Sequence, residues 1–200
     1  MVFTPNDFQM KTNVSRETMD KLVIYSELLA KWQKAKNLIS NTTVNDMWLR
    51  HFYDSAQLYH QIQESTEKVP NSLLDIGSGA GFPGLVLGIM GINKVHLIES
   101  NGKKCSFMNQ VARETDIDVS IYNERIEKVS PFPVDIITSR ACAKVNQLLE
   151  WSDPFLKKAN VEFWLLKGQT IDEELTEAKT YWTIDSHCFQ SRTEAGGSIV

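Results

Sequence analysis

One segment narrows the choices for this chain more than any other: Leu73-Leu74-Asp75-Ile76-Gly77-Ser78-Gly79-Ala80-Gly81-Phe82-Pro83-Gly84, an apolar run that ends among four glycines. A chain turning sharply from strand to helix visits positive φ, and a backbone that must touch a ligand cannot carry a Cβ, so both demands select glycine. Pro83 suits a first helical position, where no amide hydrogen is missed. The segment predicts a strand, a turn that cradles an adenosine-bearing cofactor, and a helix.

The flanking chain supports that reading. From Ser72 onward short apolar runs rich in branched residues, at 72–76, 94–99, 118–122, 134–138 and 161–166, alternate with helical patterns at 83–91, 101–115, 144–156 and 170–179. The fold class is therefore α/β, with a Rossmann-like, doubly wound sheet. Parallel strands need helical crossovers, and ligands of such sheets bind beyond the strand C-termini near the switch point, where these glycines fall. Thr183–Gln190 is expected as a further strand, turned by Gly196-Gly197 into Ser198-Ile199-Val200. An antiparallel hairpin at that edge favours the methyltransferase version of the fold, with the last strand expected to be cut short. Before Ser72 the pattern is helical. Residues 14–36 carry Met19, Leu22, Val23, Ser26 and Ala30 on one face, with Ser15 as cap, Val14 and Met19 as staple and Asn37 as stop. A second helix is predicted from Val44 to Gln63, opened by a capping-box variant of Thr43 and Asp46, and Glu64 to Asn71 with Pro70 reads as a linker. The expected division is a helical cap over residues 1–69 and a cofactor-binding domain over residues 70–200.

Two hundred residues, 42% hydrophobic, suffice to bury a real core. No run approaches the roughly 18 apolar residues of a membrane span, and the N-terminus lacks a basic-then-apolar signal, so the chain reads as cytoplasmic. Cys105, Cys142 and Cys188 form no C-x-x-C pair; reduced, mostly buried thiols are expected, with neither a disulfide framework nor a metal site. The net charge of −4 excludes a uniformly basic surface. Residues 1–69 and 70–171 are each balanced, so the acidity lies in the tail, and a locally basic face for RNA stays open.

The order acidic residue, x, Gly, x, Gly, x, Gly is used by methyltransferases that bind S-adenosylmethionine, yet Gly79, Gly81 and Gly84 also fit a dinucleotide fingerprint. Glu99 ends the second strand about 20 residues past Gly79, where a carboxylate accepts ribose hydroxyls in either case. Asp75 separates the two. Inside an apolar strand its carboxylate must be bonded by the glycine loop or by a ligand ammonium, which S-adenosylmethionine has and NAD lacks. An NAD(P)-dependent oxidoreductase is the alternative, without an evident Tyr-x-x-x-Lys pair. After the third strand Ile126 can pack on an adenine while Glu127, or a backbone amide, bonds its edge.

After the fourth strand comes Thr138-Ser139-Arg140-Ala141-Cys142-Ala143-Lys144 at the substrate position. Methylation of an exocyclic amine calls for a polar-Pro-Pro-aromatic tetrapeptide; Asp153-Pro154-Phe155 lies too far along. Methylation of a pyrimidine C5 calls for an activated cysteine, and Cys142 has no base paired with it. Guanine N7 needs neither, since its lone pair is free, so no general base and no other catalytic residue is expected and orientation is the whole task. Arg140 is a candidate for the cofactor carboxylate or the purine O6, and Lys103, Lys104, Lys144 and Lys167 for phosphates. His51, three residues before Asp54, and Trp32, Trp48 and Trp151 read first as core residues.

These segments, with Leu97-Ile98-Glu99-Ser100, Lys103-Lys104, Phe107 and Leu166-Lys167-Gly168, resemble the bacterial RsmG (GidB) methyltransferases. The cap agrees: Tyr25, Leu28-Leu29, Trp32, Asn37-Leu38-Ile39-Ser40, Arg50-His51 and Asp54-Ser55 match in order and spacing, so the resemblance covers about residues 22–168. It implies S-adenosylmethionine-dependent N7 methylation of one guanosine in the decoding-centre loop of 16S ribosomal RNA. Family cofactor contacts would fall on Gly77, Phe82, Ile126 with Glu127, and Arg140, beside Gly79 and Glu99. The expected partner is 16S rRNA in the small ribosomal subunit, with no DNA and no membrane partner, and a monomer is expected. Two departures stand out: Gln33 where the family usually has Asn, which bears on an RNA contact, and Ile126 where Ala is commoner.

Overall fold

The computed structural model describes residues 2–66, 68–157 and 161–200. Its strands are β1 (Ser72–Ile76), β2 (Lys94–Ile98), β3 (Val119–Tyr122), β4 (Ile136–Arg140), β5 (Glu162–Lys167), β6 (Phe189–Gln190) and β7 (Ser198–Ile199). They form one sheet in the order β3-β2-β1-β4-β5-β7-β6. The first five run parallel and β7 is antiparallel to both neighbours. The order reverses between β2-β1 and β1-β4, so the loop after β1 opens at the switch point.

Helices α1 (Pro5–Thr12), α2 (Arg16–Lys36) and α3 (Asp54–Ser65) precede the sheet; α4 (Gly84–Met90), α5 (Gly102–Thr115), α6 (Val145–Leu156) and α7 (Ile171–Ala178) follow its strands. Side chains alternate across a strand, and this sheet is covered on both faces. Leu73, Leu97, Ile136 and Leu166 enter one core with the N-terminal helices, α4 and α5. Leu74, Ile76, Ile137 and Leu165 enter another with α6 and α7. The first core ties the cap to the glycine loop. Tyr25 of α2 is fully buried, stacks on Phe82 at 5.1 Å and donates from its hydroxyl to the Ala80 carbonyl. Burying each such aromatic stabilises the fold by roughly 1.5–3 kcal/mol.

Several boundaries differ from those read in the sequence. Helix α1 was not anticipated, although Thr4 and Asp7 form a capping box with Pro at its start and Phe8 is buried. The predicted helix from Val44 is broken into a 3-10 turn at Asn41–Thr43, a π-helical stretch at Trp48–Tyr53 and then α3. Thr43 does not cap it: its hydroxyl donates to Ser40 O and meets His51. Strand β4 begins two residues later than expected, because Asp135 turns back to accept from the Asn71 and Ser72 amides. Arg140 thereby becomes the last residue of the strand. Pro83 stands just before α4, joined to Phe82 by a cis peptide, rather than within its first turn. Of Thr183–Gln190 only Phe189–Gln190 pairs, and Trp182 is drawn onto α6 through Asn146.

Candidate active site

The loop after β1 is shaped by backbone conformation. Gly77, Gly79 and Gly81 have φ of 70°, 59° and 94°, where a Cβ would be strained. Two of them are also crowded: a Cβ on Gly77 would lie 2.3 Å from Cys142 Sγ, and one on Gly81 2.3 Å from Leu85 Cδ1. Gly79 differs, since a Cβ there would meet only Gly77 O and Lys104 Nζ, both at an uncrowded 3.9 Å. The space beside it is free of protein and belongs to a cleft of about 710 Å³. That is the cradle an adenosine-bearing ligand needs, with backbone on one side and room on the other.

Glu99 holds the loop from β2. Its carboxylate accepts from the Gly79 amide at 3.0 Å and from the Asn101 amide at 2.8 Å. Each oxygen keeps a second lone pair, so the group can take ribose hydroxyls without releasing the loop. Asp75 does not work as expected. It is fully buried; Oδ2 accepts from Gly84 N at 3.2 Å and Oδ1 from Thr138 Oγ1 at 3.0 Å. Gly84 at the end of the loop and Thr138 of β4 satisfy the carboxylate and leave no surface for a ligand ammonium, so Asp75 does not discriminate between cofactors. Burial outweighs these bonds and raises its pKa to about 6.

Arg140 reaches the cleft from the end of β4 and is fixed by the cap. Its Nη1 donates to Arg50 O at 3.0 Å and lies 3.5 Å from Asp54 Oδ2; Nη2 lies 2.9 Å from His51 Nδ1. The guanidinium sits 5.2 Å from the centre of the Phe82 ring. His51, expected as a satisfied core residue, is buried with both nitrogens engaged, the second by Thr43 Oγ1 at 2.8 Å. Burial first, then the charges of Arg140 and Arg50, depress it to about 3, so the ring is neutral. The tail closes the wall. Arg50 donates to Thr193 O and pairs with Glu194 at 3.2 Å, Gln57 bonds Ser191 and the Arg192 amide, and Thr193 donates to Asp54.

Gly77, Gly79, Phe82 and Arg140 thus come together on the cleft, while Glu99, Ile126 and Glu127 lie outside its wall. Ile126 is 6% exposed in the second core, and Glu127 is exposed. Lys167 is not free for a phosphate. Its Nζ is buried, 2.7 Å from Glu174 and 2.6 Å from Ala143 O. Burial alone would raise Glu174, but the bonds from Lys167 and the Val145 amide hold it below the usual carboxylate value. Lys144 pairs with Glu177 at the surface, Lys103 is exposed, and Lys104 lines the cleft. Cys142 and Cys188 are exposed, contrary to the expected burial, because the loop after β4 and the tail run over the surface. Desolvation, with the charges of Asp75 and Glu99, raises the Cys142 thiol, the reverse of an activated nucleophile. Gln33 is buried and spends its amide on Leu38, Ile39 and Asn41, shaping the loop that borders the cleft. A second cleft of about 700 Å³, between α6, α7 and residues 182–189, holds none of the glycine-loop residues. Among the described residues, no group of three His, Cys, Asp or Glu is placed to hold a metal, and no helix is long and apolar enough to cross a membrane.

The family model described as rRNA small subunit methyltransferase G matches residues 18–197. The ribosomal RNA small subunit methyltransferase G of Rhodospirillum rubrum is 45% identical over 197 residues, 98% of this chain and 96% of its own length. The chain belongs to this family. Its counterpart from Paramagnetospirillum magneticum is 43% identical over 98% of this chain and 93% of its own. Membership in the small subunit methyltransferase G family carries S-adenosylmethionine-dependent methyl transfer with it and leaves the oxidoreductase alternative without support. Solved structures agree on the fold. Magnesium protoporphyrin IX methyltransferase of Synechocystis, with bound S-adenosylmethionine, aligns at TM-score 0.59 and 10% identity over 88% of this chain and 94% of that one. The 16S rRNA methylase RmtB aligns at 0.57 and 17% identity over 88% and 72%.

Proposed function

We propose that the chain transfers the methyl group of S-adenosylmethionine to N7 of one guanosine in the decoding-centre loop of 16S ribosomal RNA. It would do so as a cytoplasmic monomer acting on the small ribosomal subunit, with the helical cap over residues 1–69 and the cofactor domain over residues 70–200. The observation that carries the choice of acceptor is that the acids and the imidazole of the cleft are already committed. Asp54 holds Arg140 and Thr193, Glu174 holds Lys167, Glu194 holds Arg50, and His51 holds Arg140 and Thr43. None is placed to take a proton, and the Cys142 thiol is raised rather than activated. An acceptor that loses no proton on methylation suits such a site, and guanine N7 is one.

The residues fit the cofactor. Gly77 and Gly79 would lie under it and Glu99 would take its ribose hydroxyls. Phe82 would back the wall, and Ile126 and Glu127, which lie outside the cleft wall, would border the adenine only where the cofactor extends beyond that wall. When bound, S-adenosylmethionine would supply an electrophilic methyl group, to which the N7 lone pair bonds in line as the methyl–sulfur bond breaks and its electron pair stays on the departing thioether. Arg140 keeps two N–H groups, on Nε and Nη2, without a partner among the described residues, a fork suited to a carboxylate or to O6. Lys104 offers a charge for a phosphate at the rim. Holding reactants at about 3 Å in line can supply most of the acceleration. Labelled S-adenosylmethionine with small subunits from cells lacking the enzyme tests this. Label on one decoding-centre guanosine, at N7, is the expected result; no label, or label on another atom or base, would contradict it.

A further inference from the structure

Thr43, His51 and Arg140 form a chain of hydrogen bonds whose direction can be worked out atom by atom. Arg140 Nη2 can only donate, so His51 Nδ1, 2.9 Å away, must present its lone pair to it. The neutral ring then carries its hydrogen on Nε2 and donates it to Thr43 Oγ1 at 2.8 Å. Thr43 directs its own hydroxyl hydrogen to Ser40 O at 2.9 Å. The opposite tautomer would set two N–H groups against each other at Arg140.

We propose that Thr43 and His51 are positioning residues: Thr43 anchors the Nε2–H of the imidazole, and His51 Nδ1 thereby holds Nη2 of Arg140 so that its remaining N–H groups face the cleft. The kinetic half of this proposal rests on the methyl-transfer reading above; the tautomer half does not. The guanidinium is planar and rigid, so the Arg50 carbonyl and Asp54 on Nη1, the Phe82 ring on its face and His51 on Nη2 together fix its plane, and His51 is the only one of these partners on Nη2.

The test uses the full chain. Nitrogen-detected spectra of the histidine side chains should show His51 protonated at Nε2 and unprotonated at Nδ1 in the parent protein. Thr43→Val, which keeps the shape and removes the oxygen, should leave Nδ1 unprotonated but shift the Nε2 proton signal and speed its exchange with solvent, whereas Thr43→Ser should restore the parent signal. In methyl transfer to small subunits, Thr43→Val should lower kcat about tenfold while KM for S-adenosylmethionine changes by less than about twofold, and Thr43→Ser should recover most of the rate. Hydrogen on Nδ1 in the parent protein would overturn the proposal. So would a Thr43→Val protein with the parent Nε2 proton signal and rate, or a Thr43→Ser protein as slow as Thr43→Val. A parent protein that methylates no small subunit would instead overturn the functional reading, and the tautomer spectrum would still decide the hydrogen-bond chain.

Discussion

Along the floor of the cleft the contacts join neighbouring strands and are largely backbone: the Gly77 and Ser78 amides donate to Ile98 O, and Gly79 N to the Glu99 carboxylate. Along the outer wall they are side-chain contacts over long separations, Arg140 to Arg50 and His51 of the cap, and Arg50 and Asp54 to Thr193 of the tail. A surface that must let a cofactor touch main chain is written as a local run of glycines. The wall is assembled from three distant segments, the cap, the end of β4 and the tail, and two of them, through His51 and Arg140, also pack on Phe82 of the floor.

The largest break in that comparison is Gly79→Val. A branched side chain at φ 59° is strained and fills the open space on the floor, so S-adenosylmethionine affinity should fall by more than about 100-fold in calorimetry while the circular dichroism of the cap helices persists. Unchanged affinity would separate the floor from cofactor binding. Lys167→Met comes next. The pair with Glu174 is buried, with side-chain exposures of 7% and 13%, so removing one partner should cost about 3 kcal/mol in denaturant unfolding. A loss of RNA affinity without loss of stability would restore Lys167 to the phosphate contacts.

Arg140→Ala addresses the wall. Turnover should fall about 30-fold, with a smaller loss of stability as Asp54 and His51 lose a charged partner. Full activity on small subunits would remove the arginine from the site.

The smallest effect sets one buried group of the floor against one of the wall. His51 is depressed to about 3 from 6.5, so as pH falls from 6.5 the unfolded chain takes up the proton first and stability drops. Asp75 is raised to about 6 from 3.8, so between those values the folded chain takes up the proton first and acidification stabilises. The two slopes oppose each other between pH 3.8 and 6. Asp75→Asn should unmask the histidine, steepening the loss of stability on acidification by roughly 1 kcal/mol per pH unit in that window. Parallel curves for the parent and variant proteins would show that Asp75 titrates normally.

The same contrast explains what was legible in the sequence. Five parallel strands and the helices between them were readable because period-2 and period-3.6 patterns are local, and the glycine loop because positive φ selects one residue type. The start of β4 was misplaced because Asp135, which looks like a strand residue, instead caps the start of β1. Asp75 was misread because its environment depends on Gly84 and Thr138, nine and 63 residues away. The fixing of Arg140 by His51, and the roles of Gln57 and Thr193, left no local signal: their partners lie 89 and 136 residues apart. The cap's first helix, by contrast, was announced by Thr4-Pro5-Asn6-Asp7 and went unread.

The central claim, that this cleft works by holding its reactants and moves no proton, is met most directly by the single-turnover rate of methyl transfer to small subunits as a function of pH. A rate level across neutral pH, in the parent protein and in an Asp54→Asn variant alike apart from a constant factor, is the predicted result. A rate that climbs with pH through one ionisation, and loses that climb when Asp54, His51 or Glu174 is replaced, would contradict it.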